Sequence, residues 1–479
     1  MINFDNTYSK LPEEFFELVN PEEVPNPSLV KFNDLLAEEL NLNLNELSNE
    51  EKASIFSGNV IAKGSQPIAQ VYAGHQFGHF VPRLGDGRAI LLGEVIDKNG
   101  IRKDIQLKGS GVTKYSRSGD GKAPISAVIR EYIISEAIHS LNIPTTRSLS
   151  IVTTGENIYR EETTPGAILC RVASSHIRIG TFEYFAARND IKSLKILFIY
   201  TLKRHYPEIN ENHITKFFDI VVDNQAKLIA KWMSIGFIHG VMNTDNSAIS
   251  GETIDYGPCA FMDTFEENKV FSSIDMYGRY SYSNQSKIIE WNLSKLKDCL
   301  RLILDNEQQA ILMDAILDGF EDKFMDYYFL NMNKKIGLNS DDDILINDFL
   351  KLMEENKVDF TLAFRYLCDS TEKGSEELKT LFKNNTKLDN WLIKWHKILK
   401  EEKLDLNKIK NKMKLVNPLF IPRNHRVQEV IDAAIKKDYS KLNKLLKILS
   451  NPFEEQKENN EYINPPKPDE VVHQTFCGT

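Results

Sequence analysis

From about residue 68 to 175 the chain runs in short apolar stretches cut by Gly-Asp-Gly turns, and after about Gly180 it changes to long segments of helical period. Strands need turns every few residues and helices need unbroken 3.6-residue periodicity. This one change of texture therefore predicts a sheet-rich lobe followed by a mainly helical one. Within the first lobe, "RAILLGEVIDKNGIRKDIQLKGSG" reads as two strands joined at Lys98-Asn99-Gly100, and 146–154 with 166–174 reads as a second hairpin. Between them, "SAVIREYIISEAIHSLNIP" reads as a helix capped by Ser126 and stopped before Pro144. Two long helical patterns, "FEYFAARNDIKSLKILFIYTLKRHYP" and "HITKFFDIVVDNQAKLIAKWMSIGF", then lead into a polar loop. Residues 1–67 read as an irregular extension with one amphipathic helix on Leu35, Leu36 and Leu40. The divisions expected are 1–67, a nucleotide-binding lobe at 68–180, a helical lobe at 181–450, and a Pro-punctuated tail at 451–479.

Composition narrows the function. With 59 Lys+Arg against 68 Asp+Glu, the net charge of −9 gives no basic footprint for nucleic acid. The five cysteines form no C-x-x-C pair, so neither a zinc site nor a disulfide framework is signalled. No stretch has the form of a targeting segment or a membrane span, and the expectation is a soluble bacterial cytoplasmic protein with no membrane partner.

The polar loop "FIHGVMNTDNSAISGETIDYGP" (237–258) carries the chemistry. In the protein-kinase catalytic loop H-R-D-L-x-x-x-N, the metal-holding Asn lies seven residues after the His, and His239 and Asn246 have that spacing. Asp255-Tyr256-Gly257 stands where a kinase has D-F-G, whose Asp holds Mg²⁺; amide and carboxylate oxygens are the hard ligands this ion prefers. The fold class expected is therefore α+β: a protein-kinase-like bilobal fold with a sheet-rich N-lobe, a mainly helical C-lobe and a helical C-terminal extension. One position departs. Where a kinase has its catalytic Asp, this chain has Val241, which cannot accept a proton, and Asp245, beside Asn246, reads as the replacement base. Lys108, closing the strand "DIQLK", and Glu131 in the following helix form a candidate Lys–Glu pair for positioning phosphates. The Gly turns of "RLGDGRA" and "SRSGDGKAP" can bring backbone N–H groups close to an anion, and Arg171 and Arg178 suit phosphate oxygens; His176 between them reads as a hydrogen-bonding residue. Competing readings are ordinary ones: Asp245 and Asp255 as turn formers, Asn246 as a loop-backbone partner, Lys108 and Glu131 as solvated residues, and Gly-Asp-Gly as hairpin turns.

The stretches "YAGHQFGHFVPRLGDGRAILLGE", "LKGSGVTKYSRSGDGKAPISAVIREYIISEAIHSLNIPTTR", "RVASSHIRIGTFE", "GFIHGVMNTDNSAISGETIDYGP" and "NPLFIPRNHRVQEVI" closely resemble the selenoprotein O (YdiU) family. The resemblance implies a kinase-like fold that binds ATP in a flipped orientation and transfers AMP to Ser, Thr or Tyr hydroxyls of proteins, the enzyme itself among the candidate acceptors; UMP transfer from UTP is also attributed to the family. It implies nucleotide contacts at Gly85, Gly87, Arg88, Lys108, Asp120, Gly121, Arg171, Arg178 and Asp255. It further implies Mg²⁺ or Mn²⁺ ligands at Asn246 and Asp255 and a proton acceptor at Asp245; Glu131, from the Lys–Glu pattern, is the expected supporting residue. Many members carry selenocysteine near the C-terminus, where this chain has Cys477, a candidate for a regulatory disulfide. Two rival readings use the same residues: an atypical kinase transferring the γ-phosphate, and a non-catalytic, pseudokinase-like nucleotide-binding scaffold.

Overall fold

The computed structural model describes residues 2–160, 162–339, 342–371, 374–403 and 405–476. The strands of the first region are β1 (Phe16–Leu18), β2 (Ser28–Phe32), β3 (Ile68–Gln70), β4 (Gly74–Gln76), β5 (His79–Val81), β6 (Ala89–Ile96), β7 (Arg102–Lys108), β8 (Ala123–Pro124), β9 (Arg147–Tyr159) and β10 (Thr163–Ala173). Among the described residues, eight of them form one antiparallel sheet in the order β1-β3-β6-β7-β10-β9-β2, with β8 added on β10, while β4 and β5 pair as a separate hairpin. The β6–β7 turn forms where expected: Asp97 Oδ1 accepts the N–H of Asn99 at 2.8 Å and of Ile101 at 2.9 Å, and Gly100 takes a left-handed φ of 78°. The second hairpin is longer than its sequence signal, with β9 running on to Tyr159 and β10 starting at Thr163.

Three expectations change. The first 67 residues are not an irregular appendage, because β1 and β2 take both outer edges of the sheet and so cover backbone that would otherwise be exposed for pairing. The helix α1 (Asp34–Glu39) is a single short piece that buries Leu36 and leads into buried Leu40, while Leu35 is 80% exposed. Positions 36 and 40 are one turn apart on one face and 35 is not. After α2 (Asn49–Ser57), the helix α3 (Ile125–Ser140) starts one residue before Ser126: Pro124 stands at its N-cap, with no side-chain cap, because the chain enters it directly from β8.

The second region is helical: α4 (Ile179–Ala186), α5 (Ile191–His205), α6 (Ile214–Ser234) and α7 (Gln285–Arg301), then nine further helices between Glu307 and Leu449 among the described residues. The molecule is thus α+β, with a sheet-rich N-terminal region and a helical C-terminal one. α3 is buried on nearly all sides because it lies between the sheet and the helices Asn424–Ile435 and Ser440–Leu449. Both faces of the sheet are covered. Ile105 and Leu107 of β7 and Cys170 and Val172 of β10 join a small apolar cluster with Leu36, Leu40 and Phe56 on one face. Strand alternation then turns Gln106, Lys108 and Arg171 to the other face, toward the helical region. A two-residue pairing between β11 (Phe237–Ile238) and β12 (Ala260–Phe261) ties together the two ends of the polar loop. No helix among the described residues is long and apolar enough to cross a membrane. Cys170, Cys259, Cys299 and Cys368 are buried thiols that form no disulfide with one another, and Cys477 lies outside the described residues.

Candidate functional site

The polar loop faces the sheet across a cavity of about 600 Å³, lined from the sheet side by Gly85, Gly87, Arg88, Lys108, Asp120, Gly121 and Arg171, and from the loop side by Val241, Asp245, Asn246 and Asp255. Glu131 and Arg178 are not among the lining residues; both sit behind it and hold residues that are.

Asp255 is the hub. Its Oδ1 lies 2.9 Å from Lys108 Nζ and 2.5 Å from Arg171 Nη1, and its Oδ2 lies 3.0 Å from Arg178 Nη1. Its backbone φ of 62° is in the left-handed region, which Asp tolerates better than most residues, and this turns the carboxylate back toward β7 and β10. Glu131 reaches the same cations from α3, at 2.6 Å from Lys108 Nζ and 3.2 Å from Arg171 Nη1, and Gln106 accepts from Arg171 Nη2 at 2.6 Å. Arg178 also donates to the Asp245 carbonyl at 2.7 Å and lies over the Tyr72 ring, 4.4 Å from its centroid, so it braces the two ends of the polar loop against each other.

The charges follow from these contacts. Burial alone would raise the Asp255 carboxyl, but Arg171, Lys108 and Arg178 hold it well below the usual carboxylate range. Burial pushes Asp245 up to about 7, against the pull of Arg178 and of a hydrogen bond from Gln76. Asp86, between the two glycines of the first Gly-Asp-Gly, is pushed up to about 6 by burial, with Arg178 opposing; its Oδ2 accepts from Gln70 N and Gln106 Nε2, each at 3.1 Å. His239 has a role apart from proton transfer: it is fully buried, stacks on Trp232, and its Nε2 lies 2.8 Å from the Ile254 carbonyl. That contact fixes the backbone just before Asp255. His176 likewise bonds Asp104 at 2.9 Å, and burial keeps it neutral.

Some contacts reassign residues. Asp120 is held bidentately by Arg160, with Nη1–Oδ2 and Nη2–Oδ1 both 2.8 Å, and this bond keeps it below the usual carboxylate range. The cavity rim there is an ion pair rather than a lone carboxylate. Gly121 has a steric reason to be glycine: a Cβ would lie 2.0 Å from the Gly111 carbonyl oxygen, and φ is +67°. Gly85 and Gly87 pack directly on Tyr115 in the same manner. Tyr72, Gln76, Asp86 and Arg160 are site residues that the sequence reading missed. Asp86 alone had a signal, a carboxylate between two already selected glycines.

For a divalent ion, Asn246 and Asp255 are a fitting pair. Asn246 commits its side-chain N–H to the Val241 carbonyl at 2.9 Å, its amide oxygen accepts no hydrogen bond among the described residues, and Asp255 is ionised. Among the described residues no cluster of three His, Cys, Asp or Glu could hold a metal. With Lys108, Arg171 and Arg178 so close, a cation gains most here when phosphate oxygens complete its shell. A groove of about 680 Å³ among the C-terminal helices offers no rival centre, since Lys414 is paired with Asp369 at 3.2 Å and with Glu455 at 2.8 Å.

Comparison with known proteins fits this geometry. The family model described as "Protein adenylyltransferase SelO" matches residues 1–450. The chain belongs to the SelO family. Relatives named "Protein nucleotidyltransferase YdiU" span nearly the whole chain. That of Maridesulfovibrio salexigens is 50% identical over 483 residues, covering 99% of this chain and 98% of its own; that of Nitrobacter hamburgensis is 50% identical over 487 residues, covering 100% and 96%. Membership places the chain in a family of nucleotidyltransferases, and the SelO match spans the cavity, the polar loop and the helices that pack on α3.

Proposed function

We propose that this chain is a protein adenylyltransferase with a kinase-like bilobal arrangement, which binds ATP reversed with respect to a kinase and transfers AMP to a protein hydroxyl; UTP and UMP are the variant of the same chemistry. The observation that carries this reading is in the first half of the polar loop. The position of the kinase base is Val241, while the buried carboxylate of Asp245 lines the cavity beside Asn246. A base displaced by four residues suits a reaction centre displaced along the nucleotide, at the α-phosphate.

In this reading Lys108 and Arg171 turn from Asp255 to the β- and γ-phosphates, with Arg178 and Glu131 holding the cradle in shape. The acceptor's Ser, Thr or Tyr oxygen attacks the α-phosphorus, the bond from that phosphorus to the bridging oxygen breaks, and pyrophosphate leaves. Asp245 takes the acceptor's proton. Bound at Asn246 and Asp255, Mg²⁺ or Mn²⁺ would supply neutralisation of charge on the α-phosphate and on pyrophosphate. Intact-mass analysis after incubation with ATP and Mg²⁺ or Mn²⁺, with casein as a model acceptor, tests it. A gain of one AMP on casein or on the enzyme is the expected result. A gain of one phosphate would instead establish γ-phosphate transfer, and ATP binding with no gain would establish a non-catalytic scaffold.

A further inference from the structure

The β4–β5 hairpin stands apart from the large sheet and is fastened to the turn Thr244–Asn246 that carries Asp245. His75 N donates to Thr244 Oγ1 at 2.7 Å, a His75 ring nitrogen lies 2.5 Å from Glu183 Oε1, and the Thr244 hydroxyl donates to the other oxygen of Glu183. At the hairpin tip, Phe77 N lies 3.0 Å from Tyr280 Oη and 3.2 Å from Asn243 Oδ1. These bonds suffice to hold the hairpin in place. Two further contacts are made to the Asp245 carboxylate itself, from residues two apart on β4 and therefore on one face. A Cβ at Gly74 would lie 2.6 Å from Asp245 Oδ1 and 3.0 Å from its Cβ and Cγ, so the carboxylate occupies space that only glycine leaves. Gln76 Nε2 donates to Asp245 Oδ2 at 3.2 Å and is the one side-chain donor to this carboxylate among the described residues; Oδ1 is buried without a hydrogen-bond partner.

We propose that Gly74 and Gln76 are positioning residues that orient Asp245 for proton transfer, Gln76 by fixing the rotation of the carboxylate and Gly74 by the room it leaves. The terminal torsion of Asp is soft, so a carboxylate without a directed donor turns away from any one acceptor geometry. An amide fits the task because it donates without adding a charge and does not compete for the acceptor's proton. The proposal rests on Asp245 being the proton acceptor. It adds that the acceptor's geometry is set from a hairpin 169 positions earlier in the chain.

The test compares wild type, Gln76→Leu, Gln76→Asn, Gly74→Ala, Asp245→Asn and Gln76→Leu/Asp245→Asn, by rates of AMP incorporation into casein, KM for ATP and thermal midpoint. Gln76→Leu is expected to lower kcat about 10²-fold, the scale of a catalytic group misplaced by about 1 Å, with KM for ATP and melting unchanged. Gln76→Asn, one methylene too short, is expected to behave as Gln76→Leu does, which keeps the question answerable if the leucine variant folds poorly. Gly74→Ala should lose kcat in the same way. The double variant should be no slower than Asp245→Asn, since nothing is left to orient. Wild-type kcat in both Gln76 variants, a change in KM alone, or a further multiplicative loss in the double variant would each overturn the positioning role while leaving the function standing. A wild-type rate in Asp245→Asn, or no AMP incorporation by wild type, would overturn the functional reading and this proposal with it.

Discussion

Asp255→Asn should change the response of ATP binding to metal in opposite directions with and without the ion. The single charge of Asp255 is shared among Lys108 at 2.9 Å, Arg171 at 2.5 Å and Arg178 at 3.0 Å, so in the metal-free protein it competes with phosphate for the same cations. Asparagine is the clean replacement, because it tolerates the left-handed φ of 62° and keeps the side-chain shape. Removing one negative charge at about 5 Å from a bound phosphate, at an effective dielectric of about 20, favours binding by about 3 kcal/mol before solvent and rearrangement reduce it. Metal-free ATP should therefore bind about 10- to 100-fold more tightly to the variant. With Mg²⁺ or Mn²⁺ present the gain should vanish, because the ion loses its charged ligand, and AMP transfer should fall by at least about 10³-fold. Calorimetric titration of ATP into both proteins, in chelator and in metal, reads both effects. Weaker metal-free binding in the variant would show that Asp255 does not compete for the phosphate cradle.

Three further outcomes follow from particular residues. Lys108→Ala should lower AMP transfer at least about 10²-fold with the fold intact by circular dichroism, since Arg171 still pairs with Glu131 at 3.2 Å; undiminished transfer would remove Lys108 from the site. For Asp245 the free-enzyme profile of kcat/KM should rise with pH through about 7 and level off, because a base must be ionised and burial has raised this one; a profile flat across that range would contradict the assignment. Lys335 is buried against Phe364, 4.4 Å from the ring centroid, and desolvation lowers its pKa to about 7. The unfolded chain holds the proton that the folded chain sheds, so this lysine costs stability at neutral pH, and the cost shrinks as pH rises from 7 toward 10. Denaturant titration should find Lys335→Met more stable than wild type at pH 7, with an advantage that shrinks by about 1.4 kcal/mol per pH unit; a pH-independent difference would mean the lysine is not neutral when folded.

What the sequence made legible was local. The Lys98-Asn99-Gly100 turn, the long helices into residue 237, and the spacings among His239, Asn246 and Asp255 depend on neighbours a few residues away, and Asn246, Asp255 and Lys108 all line the one cavity. What escaped was long-range. Nothing in "FEL" or "SLVKF" says that these short pieces will close the two edges of a sheet, because that is decided by partners 52 and 125 positions away, as in Glu17↔Ala69 and Ser28↔Thr153.

 The same holds for the site. Arg160 reaches Asp120 across 40 positions and Gln76 reaches Asp245 across 169, and neither residue carries a local pattern that announces its partner. Arg178 was legible as a cation near the site but not as a brace, because its place behind Asp255 depends on Tyr72 and on the Asp245 backbone, which only the folded chain assembles. Ser126 failed as a cap for a related reason: β8 pairs with β10 and delivers the chain into α3 at Ile125, so the tertiary pairing, and not the capping side chain, sets where the helix begins.

AMP transfer requires that the bond broken lie at the α-phosphate. The most direct measurement is parallel incubation of the protein and casein with α-³²P-ATP and with γ-³²P-ATP, in Mg²⁺ or Mn²⁺, with Asp245→Asn alongside. Label is expected on protein from the α-position alone, with released pyrophosphate carrying the γ-label and neither product above background in Asp245→Asn. Protein labelled from the γ-position would contradict it, because the acceptor would then have attacked the other end of the nucleotide.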